Sequence, residues 1–420
     1  TTVESNAFYN CTALTSVKMS KNVKTLSYCL FSRCSSLASF DIPDGVTTID
    51  SYVFEYTAIK TLAVPDSVTS IGGNKFSGLT DVTVKGNTGS YAKLYCDRNQ
   101  ITFESTGVIN HEGSCGDNVT YFLDSANGVL TIKGSGEMYN YSGSNMPWSL
   151  YRDYIKTIVI ENGVTSVGNS AFAGCEKLTA VTIPNSVTRI GSSAFSDDTK
   201  LESIVIPDSV STVENYAFYN CSALTSVTMS KNIKKLSYCL FNRCSSLAHF
   251  DIPNGVTTID SYAFEYTAIK TIAVPDSVTS IGGNKFSGLT DVTVKGNTGS
   301  YAKLYCDRNE IPFESTGVTN HKGNCGDKVT YSLDSANGVL TLSGSGSTHH
   351  YNSSDMPWSL YRDYIKTIVV EDGVTAIGNY IFAGCTNLTA VTIPDGVTAI
   401  GVGVFSDCKN LLSVSVPDTV

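Results

Sequence analysis

The sequence predicts a β-rich solenoid of about 23-residue coils, arranged as tandem capped modules. Two nested periods predict it. Phe172, Phe195, Phe218, Phe241 and Phe264 stand 23 residues apart, and Phe286 follows after 22. Val187, Val210, Ile233 and Val256 keep that step, as do Leu178, Leu201, Leu224 and Leu247. A period that fixes apolar positions while the rest varies marks coils that bury their faces only by stacking. The coarser period is 210: residues 211–420 repeat residues 1–210 with 160 of 210 paired positions identical. So close a match indicates recent duplication. Agreement between the copies therefore does not separate functional positions from positions that have not yet drifted.

Each coil can be read in order. In Leu178-Thr179-Ala180-Val181-Thr182-Ile183, Val and Ile alternate with small polar residues, the pattern of a short half-buried strand. Pro184 ends it because proline donates nothing to a ladder. Asn185 and Ser186 turn the chain, and V-T-x-I, as in Val164–Val167, forms a second extended segment. Gly191 and its equivalents allow a bend. The Ala-Phe pair then fills the middle of the coil, each buried Phe contributing about 1.5–3 kcal/mol.

The fine period fails twice per copy, which places the module ends. Residues 1–106 are expected to be the back of one module, 107–114 a linker, and 115–316 a complete module. Within the last, 115–157 is the N-terminal cap, 158–297 the repeats and 298–316 the C-terminal cap. A second linker, 317–324, leads to 325–420, the front of a third module. In the N-terminal cap, strand-like Val119–Asp124 and Val129–Lys133 flank Asn127-Gly128, a hairpin signal. Trp148 is expected to cover the edge of the first coil. In the C-terminal cap, Ser300–Arg308 is expected to be a short helix followed by a strand at Ile311–Glu314. With coils bare at both ends, the natural protein is expected to continue in both directions.

The pattern A-F-x-x-C-x-x-L-x-x-V-x-I-P-x-x-V-T-x-I-G resembles the BspA-like class of leucine-rich repeat surface proteins. Ala171-Phe172, Cys175, Leu178, Val181, Ile183-Pro184, Val187 and Ile190-Gly191 carry it. The resemblance implies a leucine-rich repeat fold and a secreted or cell-surface protein of a host-associated microbe. It implies adhesion to a protein or glycan ligand on a host or neighbouring cell surface. A competing reading makes the modules non-catalytic appendages, or spacers, of a larger secreted enzyme whose catalytic domain lies elsewhere.

Composition excludes other classes. With 29 Lys+Arg against 38 Asp+Glu, the net charge is −9, and no positive excess exists to displace counterions from nucleic acid. Apolar runs of a few residues fall far short of the roughly 20 that span a bilayer, so no membrane insertion is expected.

Seven of the 13 cysteines (Cys11, Cys34, Cys175, Cys221, Cys244, Cys385 and Cys408) follow the core Phe by three residues. They are expected to form a buried thiol column donating to backbone carbonyls. Thr57 and Asp198 fill the same place in other coils. Cys96 with Cys115, and Cys306 with Cys325, stand where a disulfide would tie a cap to the next module; spacing leaves that open. Cys239, Cys244 and His249 have superficial zinc-ligand spacing, but His249 is expected to point out of the strand and Cys244 inward. His349 and His350 lie in the most divergent loop. No His recurs with a nucleophile, no Gly-rich phosphate loop follows a strand, and Asp197-Asp198 are too close to flank a substrate. Neither enzyme activity nor a cofactor is expected.

The outward strand positions are the expected ligand face, since solenoids bind on such faces. In the complete module the candidates are Ser226, Thr228, His249, Asp251, Thr271, Asp291 and Thr293. This strip is hydroxyl-rich and lacks aromatic anchors. Tyr216, Tyr238 and Tyr262 are a second candidate: an exposed aromatic patch on the other side of the coil, or rings packed over the turns.

Overall fold

The computed structural model describes residues 2–73, 75–143, 145–283, 286–352 and 354–420. The chain forms two compact units: residues 1–210 with 217–224, and residues 211–216 with 225–420. Each is a β-solenoid of about 23-residue coils. In unit one, Thr157–Ile160 pairs in parallel with Ala180–Thr182, one coil on, and with Val129–Gly134 before it. The V-T-x-I segments form a second parallel row, Val164–Val167 beside Arg189–Ile190. In unit two, Lys235–Leu236, Thr258–Ile259 and Ser280–Ile281 continue such a row.

Between the rows, the chain turns through the Ala-Phe corner, where a third ladder runs. Ser170 N–H donates to Ser192 O at 2.8 Å, Phe172 to Ala194 at 2.9 Å, and Gly174 to Ser196 at 2.8 Å. In unit two, Cys239, Phe241 and Arg243 donate in the same way to Ser261, Ala263 and Glu265 at 3.2, 2.8 and 2.8 Å. Every donor serves the following coil. For alternate N–H groups to point one way, the first and last residues of the corner adopt left-handed backbone. Ser170 has φ 50°, Ser193 54°, Asp197 64°, Tyr216 59°, Cys239 53°, Arg243 65° and Tyr262 60°. Left-handed backbone is strained for L side chains. The ladder bonds fix it in each coil.

The core is the Phe column inside these corners. Phe172, Phe195 and Phe218 stack at 5.3 and 5.5 Å between centroids, all fully buried. Phe241 and Phe264 stand 6.1 Å apart, with Phe250 tilted against both at 5.1 and 5.2 Å. Trp148 lies on Phe172 at 5.7 Å and gives its indole N–H to Ala171 O at 3.0 Å.

The helices expected in the C-terminal caps are Tyr91–Asn99 and Tyr301–Arg308, N-capped by Ser90 and Ser300. The strand after the second helix is Phe313–Val318, which starts and ends later than expected.

Residues 107–114 and 317–324, expected to be linkers, are a correction. Thr102–Val108 pairs along Thr83–Thr88, and His111–Ser114 pairs antiparallel with Val119–Asp124. Phe313–Val318 and His321–Asn324 do the same in unit two. These strands are exposed on both sides, so they lack the apolar alternation that marks a strand in sequence.

Each unit therefore holds one fixed joint. In unit one, Tyr154 Oη donates to Ser90 O at 3.2 Å and Arg98 Nε donates to Asp153 at 2.6 Å. His111 stacks on Tyr151 at 3.7 Å, with its Nε2 2.9 Å from Gly89 O. In unit two, Tyr364 donates to Ser300 O, Arg308 pairs with Asp363, and His321 stacks on Tyr361 at 3.7 Å. Gly89 and Gly299 sit inside the joints with φ +95°, and a Cβ on either would meet a backbone oxygen at 2.2 Å.

Two measurements follow. Phe195→Ala, with a ring on each side, is expected to cost about 3–5 kcal/mol in urea unfolding, the range for deleting a buried Phe. A loss under about 1 kcal/mol would mean that the column is not the core. For the joint, Gly299→Ala is expected to raise proteolytic cleavage within 315–324 severalfold. Arg308→Ala should leave it near wild type, because an exposed ion pair contributes about 0–1 kcal/mol. Equal rates for both would assign the joint to charge instead of backbone fit.

Candidate ligand surfaces

The strand face of unit two presents most of its expected residues to solvent. Ser226 and Thr228 lie on one strand and Thr271 on another, all exposed, while Thr293 is half-buried. His249 and Asp251 are exposed, with His249 Nε2 3.1 Å from the Asp251 carboxylate. Cys239 and Cys244 are buried, so the zinc-like spacing does not present its side chains on one surface. Segment 248–251 lies outside any strand, because Phe250 turns in between Phe241 and Phe264.

One member of the strip needs correcting. Thr271 pairs with Thr293 and Ala273 with Lys295, so the outward pair of that coil is Thr293 and Lys295. Asp291 precedes the strand, 4.0 Å from Lys270. Lys295 in turn pairs with Glu314 at 3.0 Å. The strip thus ends in charge, not in further hydroxyls.

The structure brings the three tyrosines together. Tyr216 and Tyr238 meet edge-to-face at 5.4 Å, and Tyr238 and Tyr262 at 5.8 Å, with interplanar angles of 76° and 87°. Tyr216 is exposed and the other two are half-buried. Tyr216 and Tyr262 occupy the left-handed corner position, whereas Tyr238 stands one residue earlier in its coil and wedges between them. The Tyr238 phenol is pushed up to about 12, first by its hydrogen bond with Tyr216 and then by the neighbouring Cys239. In unit one, Tyr28 and Tyr52 repeat the edge-to-face pair at 5.8 Å, and Asn6 stands where Tyr216 stands.

Of the seven thiols expected in a buried column, Cys34, Cys175, Cys221, Cys244 and Cys385 are buried, Cys408 is half-buried and Cys11 is exposed. Cys34 donates to Phe8 O at 3.0 Å, Cys221 to Phe195 O at 3.1 Å, and Cys408 to Phe382 O at 3.2 Å. None of the 13 cysteines is in a disulfide, and burial pushes the thiols of Cys96, Cys115, Cys306 and Cys325 up to about 12. Each unit lacks a disulfide at the place where sequence left one open.

Unit two carries two clefts lined by polar side chains. One open cleft of about 410 Å³ is lined by Asp276, Asn297 and Thr316, whose side chains bond each other through Asn297. Another of about 410 Å³ gathers Arg308, Arg362, Asp363, Asp407 and Lys409 beside the joint of unit two. Neither holds a nucleophile with a base. Among the described residues, no three His, Cys, Asp or Glu side chains are placed to share a metal ion.

The chain matches the model of the BspA type leucine rich repeat region in six copies, over residues 1–110, 165–293 and 359–420. It belongs to the BspA-type leucine-rich repeat family. No curated protein matches the sequence. Among solved structures, a leucine rich cell surface protein from Faecalibacterium prausnitzii is 24% identical, covering 74% of this chain and 83% of its own, with TM-score 0.35. A leucine-rich repeat protein from Eubacterium ventriosum is 20% identical, over 74% of this chain and 92% of its own, with TM-score 0.26. One from Bacteroides ovatus is 21% identical over 99% of this chain and 70% of its own, with TM-score 0.25.

Burial of the thiols has a direct readout. In the native chain, Cys175, Cys244, Cys96 and Cys115 are expected to resist alkylation at neutral pH, whereas exposed Cys11 labels readily. Labelling of all five at one rate would contradict the column.

Proposed function

We propose that this chain is a non-catalytic binding array that is displayed outside the cell and adheres to proteins or glycans of a host or neighbouring surface. One observation carries the reading: the Tyr216–Tyr238–Tyr262 column, an aromatic surface held in place by corner backbone within a regular solenoid. Tyrosine offers an apolar ring and a polar tip, the combination enriched where proteins meet wet partners. On the strand face, Ser226, Thr228, His249, Asp251, Thr271, Thr293 and Lys295 supply many weak polar contacts. Such surfaces gain from repetition, because linked sites raise effective concentration.

The joints favour a second role for the same modules, as stiff spacers for another domain of a larger secreted protein. Retention of the full chain on host cells or glycan arrays distinguishes the two. Tyr216→Ser, Tyr238→Ser and Tyr262→Ser together should reduce retention at least about tenfold, roughly 1.4 kcal/mol, while the urea midpoint stays close to wild type. Chelation with EDTA should change nothing. Wild-type retention in the triple variant would leave the spacer role standing and remove the tyrosines from binding.

A further inference from the structure

In the column three residues after each core Phe, most coils carry a hydrogen-bond donor, Leu79 and Leu289 are apolar, and one coil carries a carboxyl. Thiols at 34, 221 and 408 each reach the Phe carbonyl 26 residues back, at 3.0–3.2 Å. At 57 and 267, Thr hydroxyls donate to the carbonyls of Phe54 and Phe264, both at 2.8 Å. Asp198 occupies the same column and has no exposed surface. Its Oδ1 accepts the Cys175 N–H at 2.8 Å, and no donor reaches the enclosed Oδ2. An ionised carboxylate has only lone pairs to offer. The carbonyl 26 residues back, that of Phe172, is one more acceptor.

We propose that Asp198 is a neutral carboxylic acid at neutral pH, that its Oδ2–H takes the thiol's place as donor to the Phe172 carbonyl, and that unit one loses stability as the pH rises. The 210-residue duplicate places Cys408 at this position, with its thiol on Phe382 O. The groups facing Asp198 do not neutralise a negative charge. They are the Cys175 thiol on the preceding rung, the Cys221 thiol on the following rung and Asp197 beside it; Asp197 itself accepts from Asn220 at 2.8 Å. Arg152 and Asp153, from the Ser149–Tyr154 segment, act on Cys175 with opposite signs. Burial pushes the Asp198 carboxyl well above the usual range, against the smaller downward pull of the Cys175 N–H.

Unfolded, the group titrates near about 3.9. From about pH 4 upward the folded chain therefore keeps a proton that the unfolded chain has released. The contribution to stability is full below that pH and is lost as the pH rises through the raised folded value. Over that window the unfolding constant grows by up to about tenfold per pH unit.

The test compares the full-length wild type with Asp198→Asn and Asp198→Cys in urea at about pH 5 and about pH 9. Asparagine presents an oxygen to Cys175 and a donor to the column without titrating, and cysteine restores the residue of the duplicate. The wild-type unfolding constant, relative to either variant, is expected to rise at least about tenfold between the two pH values. At neutral pH, the infrared band of a protonated carboxyl should be present in the wild type and missing from both variants. If one variant fails to fold, the other and the wild-type band still decide. A ratio independent of pH, or no such band, would overturn the proposal.

Discussion

The corner ladder is the constraint on which the rest depends. Three N–H groups per coil, as at Ser170, Phe172 and Gly174, donate to the next coil at about one coil's spacing. That ladder forces two left-handed residues into each corner and sets the Phe between them on the solenoid axis. Both interior columns follow from it. With residue 172 fixed inward, residue 175 lies in the interior too, where most coils carry a small side chain that can donate to a carbonyl. The outer surface follows as well, because a left-handed residue throws its side chain outward, and there Tyr216 and Tyr262 emerge.

Much of this was legible in sequence, and the parts that were not have identifiable causes. The 23-residue step locates the Phe and Cys columns because burial fixes those positions in every coil. Strand register in the coil after Phe264 was less legible. An offset of two keeps a residue on the outward face, so Asp291 and Lys295 are equally plausible from alternation alone. Pairing of Thr271 with Thr293 removes that freedom. The strands at 107–114 were hidden by composition: Gly, Thr and Asn read as loop where neither face is buried. Nor does a sequence show that Tyr238 sits one residue out of step with its neighbours and wedges between them. Its 22- and 24-residue separations from Tyr216 and Tyr262 were the available signal.

Asp198 and the tyrosine column mark where individual coils depart from the common pattern, and they do so differently. The corner takes Asn6, Ser170 or Tyr216 at one position, where the side chain is exposed or half-buried. Position 198 tolerates little, since any occupant there meets a thiol on either side and a backbone oxygen to satisfy. Variation at the outer position is therefore open to selection for binding. At the inner position it changes the response of the fold to its surroundings.

The joints have a consequence for how such a chain changes in length. His111 on Tyr151 and His321 on Tyr361, Tyr154 on Ser90 and Tyr364 on Ser300 are the same fit made twice. Any copy of the leading end is thus complementary to any copy of the trailing end. A recombination event that adds or removes 210 residues meets matching surfaces at its new boundary and leaves no coil without its usual neighbour. Array length becomes a heritable variable that can be adjusted without redesigning a single contact, and span can change separately from the surface of each repeat.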